Sequence, residues 1–223
     1  TVENIGEAAL SAYARAVGEE PSLELLVRRG FMSKRSERLT NAGVLLFARN
    51  PDEHIVRAGV MVEVRAAAQR EVLKKRGWEA DHLFDEPLVT LLTVVESYLD
   101  ELLRPRAGDS YPRYAWREGL VNAIVHRDYE SHGDYTSLSV LEGRIEITNA
   151  GSPANGLPAA RMREAHYSRN PVLARALTEL GWMHDLGVGI NGIYDSMGGT
   201  GVHYSVSRYL GVDHLRFTLM SQK

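Results

Sequence analysis

Arg117-Glu118-Gly119-Leu120-Val121-Asn122-Ala123-Ile124-Val125-His126-Arg127-Asp128-Tyr129 is the stretch around which the rest of the chain falls into order. Read as helix, it places Glu118 and Asn122 on a shared face, because four residues make about one turn. Trp116, Leu120, Ala123 and Ile124 form an apolar stripe on the opposite side, so periodicity alone makes the Glu118 face an ordinary solvated one. The pair also has a chemical reading. A carboxylate that can orient water, beside an amide oxygen that can hold a hard cation, is half of a metal–nucleotide site; glycine-rich loops elsewhere would have to supply the other half.

Working outward, the second half of the chain reads as alternating helix and strand. The Arg113–Arg127 helix is followed by predicted strands at Thr136–Leu141 and Arg144–Thr148, joined by Glu142-Gly143 in the manner of a hairpin. Asn149-Ala150-Gly151-Ser152-Pro153 is too rich in turn formers for regular structure. Pro171 opens a predicted helix from about Asn170 to Leu180, and Gly187-Val188-Gly189 leads into another ending near Met197. Strands at Val202–Tyr209 and Leu215–Leu219 follow.

Upstream, helical spacing runs from about Val2 to Val17, and Glu19-Glu20-Pro21-Ser22 starts a short helix that stops at Gly30. Leu39–Phe47 reads as a helix leading through Asn50-Pro51 into a strand at Ile55–Val64, and Pro87–Leu103 carries a clear amphipathic pattern. Arg104-Pro105-Arg106-Ala107-Gly108-Asp109 reads as a linker.

Composition narrows the class. With 223 residues and 44% hydrophobic composition the chain can bury a sizeable core. No apolar run approaches the roughly 20 residues that cross a bilayer, and Thr1-Val2-Glu3-Asn4 has no signal pattern, so a cytoplasmic protein is expected. Zero cysteines exclude disulfides, thiolate zinc sites and cysteine nucleophiles. A start at Thr rather than Met reads as a trimmed piece of something longer. Charge is uneven: Arg28–Arg76 holds 12 Lys/Arg against 5 Asp/Glu, net +7, while the remainder carries −10. Charge alone leaves two readings for that region, a solvated basic face or a surface for an anionic partner such as DNA.

Some motifs can be set aside. Gly187-Val188-Gly189-Ile190-Asn191-Gly192 fits the dinucleotide pattern G-x-G-x-x-G, but the segment before it reads as helix, not strand. What remains is the physics of a glycine loop at a helix N-terminus, which offers free N–H groups to a phosphate. His126-Arg127-Asp128 echoes the kinase catalytic loop, yet Gly133 stands where that loop needs Asn. His126 and His132 lack a further ligand at metal spacing. No G-x-x-x-x-G-K-[ST] phosphate loop occurs, so the sequence offers no support for a helicase motor.

Four ordered blocks, Arg117–Tyr129, Arg144–Gly151, Ser168-Arg169-Asn170-Pro171 and Gly187-Val188-Gly189-Ile190, resemble the nucleotide-binding fold of gyrase, the histidine kinases and MutL (GHKL). The likeness is to the divergent branch that forms the helicase-like C-terminal ATP-binding domain of transcriptional regulators, and Leu39–Phe47 resembles the stretch following a Schlafen-type, Alba-like DNA-binding domain. The resemblance implies an α+β fold, a two-layer α/β sandwich of the Bergerat kind. It implies a GHKL-like domain at residues 85–223, with a mixed sheet and helices on one face, preceded by a smaller α/β segment at 1–84.

The resemblance also implies roles. Glu118 would be the general base, Asn122 the ligand of a Mg²⁺ bridging the phosphates of ATP, Asn149 and Gly151 the adenine-binding pair, and Gly187 and Gly189 the second glycine box. Residues from Ser152 to Leu186 would form a lid, and Arg169 or Arg127 would meet phosphates. Asn149 stands where the family has Asp, Pro153 where it has Gly, and Asn191 replaces the last glycine of G-x-G-x-G. Two functions follow as expectations: an ATP-binding, weakly hydrolysing regulatory domain of a DNA-associated homodimer, or a module that keeps the fold for dimerisation or sensing without nucleotide.

Overall fold

The computed structural model describes residues 4–104, 111–153, 157–164, 167–183 and 188–221. Eight α-helices and six strands are found among the described residues: α1 (Glu7–Ala16), α2 (Leu23–Arg28), α3 (Asn41–Phe47), β1 (Val60–Val64), α4 (Ala67–Arg76), β2 (Asp81–Phe84), α5 (Leu88–Leu102), α6 (Arg113–His126), β3 (Thr136–Leu141), β4 (Arg144–Ala150), α7 (Pro171–Glu179), α8 (Val188–Ser196), β5 (Val202–Tyr209) and β6 (Val212–Met220). The strands form one sheet in the order β2-β1-β3-β4-β6-β5. Only the β1–β3 pairing is parallel, so the sheet is mixed and the fold is the expected α+β sandwich.

Local chemistry explains most boundaries. Ser22 caps α2 by accepting from the Leu25 amide at 3.1 Å, and Thr40 caps α3 by accepting from Gly43 at 3.2 Å. The strand expected over Ile55–Val64 is shorter, because Pro51–Glu53 forms a 3₁₀ turn and pairing starts only at Val60. Two elements were not foreseen. Helix α4 is mostly polar, and β2 is an edge strand whose first two residues, Asp81 and His82, are exposed; neither shows the apolar period that sequence patterns rely on.

Alternation along the central strands sorts the two faces of the sheet. Leu138 and Val140 on β3, Ile145 and Ile147 on β4, and Phe217 and Leu219 on β6 are buried beneath helices. Ser137, Ser139, Glu146, Thr148 and Arg216 line the opposite, polar face. Helix α6 lies on the covered side against β3, β4 and β6. Gly119 permits the close approach: a Cβ there would come within 2.7 Å of Phe217 Cδ1. Around α1 and α3, Tyr13, Phe31 and Phe47 pack edge to face with centroids 5.2 to 5.5 Å apart. β1 and β2 extend the same sheet that β3 to β6 build.

Candidate functional site

The face of α6 that periodicity marks as solvated is buried instead. Glu118 is only 2% exposed, because α8 covers this side of the helix while the sheet covers another. The Glu118 carboxylate accepts a hydrogen bond from the Asn122 amide at 3.3 Å. Gly189, in the first turn of α8, lies directly on the same carboxylate: a Cβ at 189 would stand 2.8 Å from Glu118 Cδ. Gly192, one turn further, meets Tyr114 in the same way, with a would-be Cβ 2.6 Å from the phenol oxygen. The two glycines let α8 settle onto α6. Gly187 lies outside the described residues.

The remaining candidates gather at the C-terminal end of α6. Asn149 is buried at the end of β4, where its amide donates to the Ala150 carbonyl at 3.2 Å. Gly151 follows at φ 117°, a conformation suited to glycine, with its amide donating to Asp213 O at 2.7 Å. Asp128 joins this loop to α6, its amide donating to Ala150 O at 2.8 Å. Arg169 sits across the junction: it donates to His126 O at 3.1 Å and to Ser152 O at 2.8 Å, and lies 3.8 Å from Asp128.

Sequence reading missed the role of Asn170. Its position before Pro171 suggests a cap for α7, yet no side-chain cap bond forms there. Its amide instead donates to Val125 O at 2.7 Å and Arg127 O at 2.9 Å. Arg169 and Asn170 therefore satisfy carbonyls at the end of α6, which a helix cannot pair internally. The only hint was two amide- or guanidinium-bearing side chains before a proline. α7 itself packs on α3 and α6, so part of the segment expected as a lid is anchored to the core.

Two basic groups here have unusual surroundings. Burial, with the Arg169 cation second, pushes the His126 imidazole down to about 4, so it is neutral near pH 7. Arg127, also expected to meet phosphates, is fully buried and presents no surface to solvent. Its Nη1 donates to Arg57 O, its guanidinium lies 5.1 Å from the Tyr129 ring, and burial draws its pKa down.

The oxygens of Glu118 and Asn122 are the hard donors that Mg²⁺ prefers, and the Gly189 cradle is one that a Cβ would fill. No cluster of three His, Cys, Asp or Glu suited to a metal occurs among the described residues, so water and phosphate oxygens would complete most of any Mg²⁺ shell. Much of the basic region is self-neutralised. Arg28 and Arg29 pair with Glu19, Arg65 with Asp81, Lys74 with Glu71 and Arg76 with Glu101. Lys34, Arg35 and Arg38 are exposed on the turn between Met32 and Leu39. No described helix is long and apolar enough to cross a membrane.

Comparison with known proteins agrees with this architecture. No curated protein matches in sequence. The crystal structure of the DIP2311 protein from Corynebacterium diphtheriae superposes with a TM-score of 0.73 at 21% identity, covering 100% of this chain and 45% of that one. The likeness is one of fold, and this chain spans less than half of that protein's length. Residues 133–208 match the family described as "Putative ATP-dependent DNA helicase recG C-terminal", an ATPase-like domain family; the match spans β3 to β5 and includes Asn149, Gly151, Arg169 and Gly189.

Proposed function

We propose that this chain is an ATP-binding regulatory domain of a DNA-associated protein, with Glu118 and Asn122 facing the nucleotide phosphates. The observation that carries the reading is the meeting of α6 and α8, where carboxylate, amide and a glycine at a helix N-terminus come together. In this reading Asn122 holds Mg²⁺ through its amide oxygen, Glu118 orients water, and Asn149 and Gly151 receive the adenine. Any DNA contact made by this chain runs through Lys34, Arg35 and Arg38, and the working form is a homodimer. Calorimetric titration with ATP and Mg²⁺ tests the core of it. Saturable heat that Asn122→Ala abolishes is expected; no heat in the wild type, or unchanged heat in the variant, overturns it.

A second reading has one observation in its favour. Gly189 already occupies the space beside the Glu118 carboxylate, and Arg169 is engaged with carbonyls. A module that keeps this fold for dimerisation, without nucleotide, would have both features. It expects a mass that rises with concentration in light scattering and no response to ATP.

A further inference from the structure

A second concavity lies far along the sheet, between the edge strand β2 and the outer face of α5. Its volume is about 650 Å³, within the range of sites that take small organic ligands. Trp78, His82, Phe84 and Tyr98 supply its walls, and Val94 lies on its rim. The Trp78 and Tyr98 rings stack at 5.0 Å with 26° between planes, and His82 lies nearly parallel to Tyr98 at 5.9 Å. Phe84 meets Tyr98 edge-on at 5.4 Å. Trp78 is 39% exposed, Val94 44% and His82 is exposed too, so these side chains open to solvent while Tyr98 and Phe84 form a buried aromatic floor continuous with the core.

The charges of this place select the occupant. Glu79 is among the lining residues, and no Lys or Arg is. Lys74 and Arg76, nearby on α4, are held by Glu71 and Glu101, while Lys75 is exposed and does not line the concavity. Asp81 is close enough to add its charge to burial in raising the Tyr98 phenol. Aromatic faces carry negative potential, and with a carboxylate beside them they attract a cation that sheds water cheaply.

We propose that this concavity binds a planar organic cation, an aromatic compound with a cationic ring nitrogen, stacked on Trp78 and neutralised by Glu79. An anionic ligand finds no counter-charge in the lining. Helix α5 also connects the place to α6: Glu96, two residues from Val94, accepts from Arg117 at 2.8 Å, next to Glu118 in sequence. The binding claim stands apart from the nucleotide reading, since neither needs the other.

Calorimetric titration of the whole chain with N-methylacridinium, without nucleotide, tests it. Saturable binding with one site per chain is expected, clearly tighter than that of uncharged acridine. Val94→Arg places a cation at the rim from an exposed helix position and should weaken binding roughly tenfold. Glu79→Gln should weaken it in the same direction, while Val206→Arg, on exposed β5, should bind as wild type. No saturable heat, equal affinity for acridine, or wild-type binding by Val94→Arg would each overturn the proposal, as would equal weakening by Val206→Arg.

Discussion

The backbone of Gly189 rests against the carboxylate of Glu118, close enough that a Cβ at 189 would sit 2.8 Å from Glu118 Cδ. Contacts that short are not tolerated, and Glu118 at 2% exposure has no open space to swing into. Helix α8 is therefore registered on α6 by one missing methyl group.

Gly189→Ala is expected to destabilise the protein by about 1–3 kcal/mol, the cost of overpacking a filled site. In a Glu118→Ala background the same change should cost much less, because the group it strikes is gone. Urea denaturation of the four proteins of this cycle gives the coupling. An equal penalty in both backgrounds would show that the contact is not what matters.

Arg169 and Asn170 close the end of α6, and their removal should be felt without any ligand. Arg169→Leu leaves the carbonyls of His126 and Ser152 without this donor, and a loss of about 1–3 kcal/mol is expected. Arg169→Lys should recover little, since an ammonium cannot reproduce the fork that reaches both. Wild-type stability of Arg169→Leu in ligand-free protein would remove the structural role and leave the guanidinium free for phosphate.

His126 predicts a pH dependence with a definite sign. Its pKa is lowered from 6.5 to about 4, so the unfolded chain takes up a proton first as pH falls. Above the unfolded value the imidazole is neutral in both states and contributes nothing. Between 6.5 and about 4 stability should fall, by up to about 3 kcal/mol from this group, and the loss is complete below that window. His126→Leu should lack this part of the acid slope in denaturant melts taken across the window. Identical slopes would contradict a buried neutral imidazole.

These side chains also show what the sequence could reveal. Strong periods and turn chemistry made β3, β4, α5, α6, α7, α8 and β5 legible to within a few residues of their ends, because Pro171, Glu142-Gly143 and apolar spacing are local signals. α4 and β2 were invisible, since a polar helix and an exposed edge strand bury little along their own length. The pairing of Glu118 with Asn122 was readable because one turn of helix creates it. Burial of that face was not: it depends on α8 arriving from seventy residues away, which no pattern within α6 records. The donors Arg169 and Asn170 were likewise assigned by family position or by neighbouring Pro171, while their partners at the end of α6 lie more than forty residues upstream.

Arg127 provides the remaining prediction. It is a fully buried cation whose Nη1 donates to Arg57 O, while Nε and Nη2 find no hydrogen-bond partner among the described residues. Taking a charge out of water is expensive, and one carbonyl, a ring face at 5.1 Å and the charges of Asp52 and Asp134 offset only part of that cost. Arg127→Met keeps an unbranched apolar stem and removes the charge, so stability should stay level or rise by as much as about 1–4 kcal/mol. Arg127→Ala also empties the space and should cost about 2–5 kcal/mol as the surroundings fail to close. Thermal and denaturant unfolding of the pair separate volume from charge. If Met proves as costly as Ala, the charge itself is being held in place, and the stem is not the reason Arg127 is inside.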